Sequence, residues 1–124
     1  MILCDTNIFI EIYRDNSDTI KTVKAIGQNQ IAASHVTCAE LYFGARNKRE
    51  LRAIEKDLQQ LSLLPIQLPI STMATQLVKE YALSHTLSLP DALIAATAIY
   101  HDLELFTLNQ KDFRFLKNLR LYIS

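Results

Sequence analysis

Five side chains stand out for the chemistry they could share: Asp5, Glu40, Asp91, Asn109 and Asp112. Each lies where one local pattern gives way to another. Asp5 follows the apolar run MILC, and Glu40 sits in the helical pattern after QIAA. Asp91 opens the alanine-rich stretch DALIAATA, and Asn109 and Asp112 follow LELFT. Carboxylates gathered in one place repel, and the repulsion favours protonation unless a cation neutralises them. A hard divalent cation such as Mg²⁺ is the natural partner, because it takes oxygen ligands, keeps several waters and uses only one or two carboxylates directly. Zinc does not fit: His35, His85 and His101 are scattered, and no His–Cys cluster has ligand spacing. A glycine-rich phosphate loop is excluded, since the only glycines are Gly27 and Gly44. An aspartate-nucleophile phosphatase would need a second acid two residues after Asp5, and that residue is Asn7.

Every one of these residues also has a local use. Asp5 can cap a helix beginning at Thr6. Thr37 and Glu40 have capping-box spacing, with Glu40 at the third helical position. Pro90 and Asp91 suit a helix start, and Asn109 can cap a short helix carrying Asp112. Cys4 and Cys38 read as small packing residues. The placement of the elements decides between the local uses and the shared one.

Short apolar runs alternate with longer helical patterns. Strands are expected at 1–4, 30–33, 63–68, 103–107 and 120–123, the third at a sheet edge because Pro65 cannot join a ladder. Helices are expected at 6–14, 17–28, 37–46, 48–61, 71–85 with Ser71 as cap, 91–101 and 111–116. Strands separated by helices pair in parallel, because a parallel connection needs a crossover. The pattern predicts an α/β fold, a three-layer α/β/α sandwich around a short, mainly parallel sheet of about five strands, as one domain over residues 1–124. Ligand sites in such sheets lie outside the carboxyl ends of the strands. Those ends fall after Cys4, Ala33 and Phe106, so the acids are expected to converge at one edge.

The chain has 124 residues, 49% hydrophobic and 21% charged, an ordinary globular mix. Thirteen basic and thirteen acidic residues give a formal charge of zero, which excludes a histone-like electrostatic binder. Nucleic-acid contacts would have to come from local patches. Two stretches qualify: 46–56 has five basic residues against two acidic, and 111–120 has four against one. Two cysteines are too few for a disulfide framework and imply a reducing compartment. No signal-peptide pattern is visible at the start, so a cytoplasmic location is expected. The longest nearly unbroken apolar stretch, 92–100, falls well short of the ~18 residues of a membrane span, so no membrane association is expected.

Taken together, these motifs resemble the PIN-domain ribonucleases, and among them the small VapC-type toxins of type II toxin–antitoxin pairs. The resemblance rests on Asp5-Thr6-Asn7 in MILCDTNIFI, Glu40-Leu41 with Gly44 in TCAELYFGA, Asp91 in LPDALIAATA, and Thr107, Asn109 and Asp112-Phe113 in FTLNQKDF. It implies a PIN-like fold and a Mg²⁺-dependent endoribonuclease, with Mn²⁺ able to substitute, that leaves a 5′-phosphate and a 3′-hydroxyl. Asp5, Glu40 and Asp91 carry over as the metal acids. Asn109 stands where the family often has a fourth acid, and is counted with the catalytic set. Thr6, Asn7, Thr107 and Asp112 are expected around them, orienting ligands or water. Arg46, Arg49 and Lys111 are candidates for RNA phosphates from charge and position. The resemblance further implies an RNA substrate, a cognate antitoxin and a homodimer. Asn109 keeps a second reading open, a catalytically impaired PIN-like module that binds RNA or a protein partner.

Overall fold

The computed structural model describes residues 1–124. Its strands are β1 (Ile2–Cys4), β2 (Ile31–Ser34), β3 (Ser62–Leu64) and β4 (Glu104–Phe106). Its helices are α1 (Thr6–Tyr13), α2 (Ser17–Ile26), α3 (His35–Phe43), α4 (Lys48–Leu58), α5 (Leu68–His85) and α6 (Leu89–Tyr100). All pairings are parallel, in the order β3-β2-β1-β4. β1 is therefore central, with Ile2 opposite Ile31 on one side and Glu104 on the other. The chain's direction of travel across the sheet reverses between β1 and β4, and ligand sites form at the carboxyl ends flanking such a reversal.

Period-two alternation makes this a sandwich. Leu3, Ala32 and Leu105 face one core with Ile70, Ala92 and Phe113. Cys4, Ile31, Ala33 and Phe106 face the other with Ile8, Leu41 and Leu58. Each strand is thus apolar on both faces, as a sheet covered on both sides requires. The alanines of α6 have the same cause. Ala92, Ala95, Ala96 and Ala98 are fully buried, so this helix lies close to its neighbours with almost no side-chain thickness between them. No helix is long and apolar enough to cross a membrane.

Several expectations need correction. The sheet has four strands rather than five. The segment expected as a last strand makes one bridge, Leu105 with Leu121, held by hydrogen bonds of 2.9 Å from the Leu105 N–H and 2.8 Å back to the Leu105 carbonyl. β3 ends at Leu64, because Pro65 has no N–H to continue the ladder, and it is the edge strand as expected. α5 starts at Leu68 rather than at Ser71, with Pro69 in its first turn, where a missing N–H costs nothing. The Ser71 hydroxyl instead donates to the Leu68 carbonyl at 2.8 Å. The short helix expected at 111–116 is a single 3₁₀ turn, Gln110–Asp112, and Asn109 places no side-chain cap on it.

α3 begins two residues earlier than expected. β2 runs on to Ser34, whose hydroxyl accepts the Val36 N–H at 3.1 Å and so caps the helix. Thr37 is inside the helix, and Glu40 lies in its second turn rather than at its third position.

Candidate active site

Four elements deliver one acid each to the carboxyl edge of the sheet. Asp5 leaves β1 directly, and its backbone N–H extends the β1–β4 ladder by bonding the Phe106 carbonyl at 2.9 Å. Glu40 comes from α3 and Asp91 from the first turn of α6. Asp112 comes from the 3₁₀ turn after β4.

Asp5 caps α1 as foreseen, and its second carboxylate oxygen is turned to the exit of β4. One carboxylate oxygen caps α1 through the Thr6 N–H at 2.8 Å. The other accepts the Thr107 hydroxyl at 2.8 Å and the Asn7 amide at 3.3 Å. The residue is only 6% exposed, so its orientation is fixed by these bonds. Burial pushes its carboxyl up, the bonds from Thr107 and Thr6 pull it down, and the charges of Glu40 and Asp112 push it up again.

Asn7 and Thr107 tie the two central strand exits together. The Asn7 amide donates to Thr107 Oγ1 at 3.3 Å, and its carbonyl oxygen accepts the Leu108 N–H at 3.3 Å. Thr107, 3% exposed, also accepts the Asn109 N–H at 3.1 Å. The loop that follows β4 is thereby fastened to the start of α1.

Asp91 sits under a serine cap. Ser88 Oγ accepts its backbone N–H at 3.3 Å, and Pro90 occupies the first turn. The Ser88-x-x-Asp91 spacing is the sequence signal of this cap. Burial first, then the charges of Asp5, Asp112 and Glu40, push the Asp91 carboxyl up to about 6, with the Ser88 side chain pulling the other way. Glu40 is exposed and anchored by Thr6, whose hydroxyl donates to Glu40 Oε1 at 2.7 Å.

None of the chain's ion pairs, Arg14–Glu11, Arg46–Glu50 and Arg120–Asp102, involves these four acids. Negative charge therefore accumulates at the sheet edge without a basic neighbour. The donor set is carboxylate, amide and hydroxyl oxygen, which fits a hard divalent cation. The expected trio Asp5, Glu40 and Asp91 does not close into a cage, since no three His, Cys, Asp or Glu side chains form a group that could enclose an ion. Glu40 is engaged with Thr6. Such a site suits an ion that retains most of its water.

Asn109 is exposed and joins the site through its backbone, whereas the charge of Asp112 reaches both Asp5 and Asp91. The basic candidates divide. Arg46 is occupied by Glu50, with contacts of 2.8 and 2.9 Å, a pairing at i,i+4 that was readable from spacing. Arg49 and Lys111 are exposed and in no ion pair. Thr37, read from sequence only as a cap, is fully buried with its hydroxyl against that of Thr6.

A parallel four-stranded sheet with acids gathered at its carboxyl edge defines the class, and the chain belongs to the PIN domain family, whose model matches residues 2–118. A VapC protein is among its relatives in that family. It is 33% identical to Ribonuclease VapC10 of Mycobacterium tuberculosis over 97% of this chain and 91% of that protein. Among solved structures, a toxin–antitoxin complex from Klebsiella pneumoniae contains a chain 31% identical, with a TM-score of 0.82 and coverage of 96% of this chain and 95% of that one. VapBC2 from Rickettsia felis, bound to a DNA fragment from its promoter, matches at 25% identity and a TM-score of 0.81, covering 98% of both chains.

Proposed function

We propose that the protein is a divalent-metal-dependent endoribonuclease, using Mg²⁺ with Mn²⁺ able to substitute, and the toxin of a toxin–antitoxin pair. The observation that carries the reading is the group of four acids at one sheet edge with no ion pair among them, in which burial and then three other carboxylates push Asp91 up to about 6. Its kinship with a protein named a ribonuclease and with chains from toxin–antitoxin complexes supports the same reading. An antitoxin partner, an RNA substrate and a homodimer belong to this proposal.

A cation bound among the acids would activate water, orient the phosphate and offset developing charge. Asp5 and Asp91 would hold it, and Glu40 and Asp112 would reach it through water. Asp5 is preset for this by its bonds to Thr107, Asn7 and the Thr6 N–H. Bonds of this kind fix the direction in which a ligand oxygen points. Asn7 and Thr107 keep the loop carrying Asn109 and Asp112 against α1. Arg49 and Lys111 would meet substrate phosphates, while Arg46 is engaged elsewhere.

The alternative reading of an impaired binding module rests on the amide at Asn109, and Asp112 weighs against it by supplying a fourth negative charge. The two are separated by incubating a mixed RNA pool with purified protein. Cleavage with Mg²⁺ that stops with EDTA and is absent from Asp91→Asn supports the nuclease. Equal cleavage by wild type and Asp91→Asn would assign the activity to a contaminant.

A further inference from the structure

We propose that Thr37 is a positioning residue for Glu40, acting through the Thr6 hydroxyl; this rests on the reading of the acids as a cation site. Thr6 Oγ1 lies 2.7 Å from Glu40 Oε1 and 2.9 Å from Thr37 Oγ1. An ionised carboxylate only accepts, and a threonine hydroxyl has a single proton. The Thr6 proton therefore goes to Glu40, and Thr37 donates its own proton to Thr6. The three side chains form a one-way chain from Thr37 to Thr6 to Glu40.

The arrangement has a consequence for the site. Thr37 and Glu40 lie three residues apart on α3 and so share a face, while Thr6 reaches them from the first turn of α1. Thr6 is gripped twice: Asp5 takes its backbone N–H at 2.8 Å and Glu40 takes its hydroxyl. One residue thus sets two acids relative to each other. Glu40 is exposed and on a flexible stem, so without this grip its carboxylate would sample several rotamers. A donor that itself accepts a hydrogen bond is a stronger donor, and Thr37 makes Thr6 one. Thr37 is 0% exposed, and Thr6 is its hydroxyl's only side-chain partner. For packing alone, a valine of the same shape would serve.

The test compares wild type, Thr37→Val, Thr37→Ser, Thr6→Val and the Thr6→Val/Thr37→Val double variant. Mn²⁺ affinity is measured by calorimetry, and melting temperature is measured without metal. Thr37→Val is expected to weaken Mn²⁺ binding roughly 3- to 10-fold while lowering the metal-free melting temperature no more than the loss of one hydrogen bond does. Thr37→Ser is expected to restore the affinity. In the Thr6→Val background, adding Thr37→Val should change nothing further. Undiminished Mn²⁺ affinity in Thr37→Val, or an equal loss with and without Thr6, overturns the relay while the cation site stands. Weakened binding that Ser does not restore, with a melting temperature lowered by more than that, makes Thr37 a packing residue and overturns it too. A wild type that binds no Mn²⁺ overturns the cation site itself, and the relay with it.

Discussion

Replacing Asp91 with asparagine should stabilise the metal-free protein at neutral pH and destabilise it relative to wild type once metal is added. The Asp91 carboxyl is pushed up to about 6 from an ordinary 3.8, first by burial and then by Asp5, Asp112 and Glu40. A shift of that size corresponds to about 3 kcal/mol of strain in the ionised folded state. Partial solvent access screens it, leaving about 1–2 kcal/mol. The α6 dipole opposes the gain, since an acid in the first turn is worth about 0.3–1 kcal/mol there. The Ser88 cap on the backbone N–H survives the change, while the pull of the Ser88 side chain on the carboxylate is lost and trims the gain. The net expectation is about 1 kcal/mol in favour of the variant, or roughly 3–5 °C in Tm. The sign follows from linkage. A carboxyl raised in the folded state adds stability that is fully present below its unfolded value and is lost as pH rises through the folded one. Wild type and variant should therefore melt together below about pH 4 and diverge as pH rises through 6. Saturating Mg²⁺ reverses the order, because an ion at about 100 times its Kd adds about 2.7 kcal/mol to the form that binds it. The assay is a set of melting curves from pH 3.5 to 8, with EDTA and with excess Mg²⁺. A variant that is less stable than wild type with EDTA at pH 7.5, or a gap that does not change with pH, would refute the reasoning and leave Asp91 as an ordinary helix-start acid.

Asp5→Asn is expected to abolish cleavage with a stability loss of about 1 kcal/mol or less, because the amide oxygen can keep one of the Asp5 acceptor roles while its NH₂ faces the Asn7 amide; single-turnover cleavage and thermal melts together check this. Asp112→Ala should slow cleavage about 10- to 100-fold, and Asn109→Ala much less, since only the backbone of Asn109 bonds within the site; the ranking is read from single-turnover rates. Removing Arg49 and Lys111 should each lower the salt slope of RNA binding by about 1, whereas Arg46→Ala should leave it nearly unchanged; fluorescence anisotropy at several salt concentrations distinguishes them.

Much of the architecture is written in local pattern. The alternation of Leu3 with Cys4 and of Leu105 with Phe106 already assigns each to one face of a sheet covered on both sides, and the structure puts them in two separate cores. Pro65 marks the edge strand, and the alanines from Ala92 to Ala98 mark the helix whose small side chains are buried against its neighbours. Strand exits are equally local, so the acids that follow them can be named and their convergence foreseen. Element boundaries were less legible where two caps competed. Ser34 and Thr37 are both good caps, and Ser34 prevails because β2 pairs with β3 as far as Leu64 and holds the chain extended through Ser34. The same holds at Leu68, where the end of the ladder at Pro65 freed the chain to begin α5 early.

What depended on tertiary structure is the detail of the site, because its partners are remote in the chain. Thr107 and Asp5 are 102 residues apart, and Thr6 and Glu40 are 34 apart. No spacing rule connects such pairs; the parallel register of β1 with β4 and the packing of α1 on α3 do. The choice between Asn109 and Asp112 as the fourth group is of the same kind. They are three residues apart, and the 3₁₀ turn brings the Asp112 carboxylate within reach of Asp5 and Asp91 while Asn109 joins the site only through its backbone. The types of group at the sheet edge follow from residues read in order, whereas their orientations and hydrogen bonds exist only once the strands are in register and the helices have closed over them.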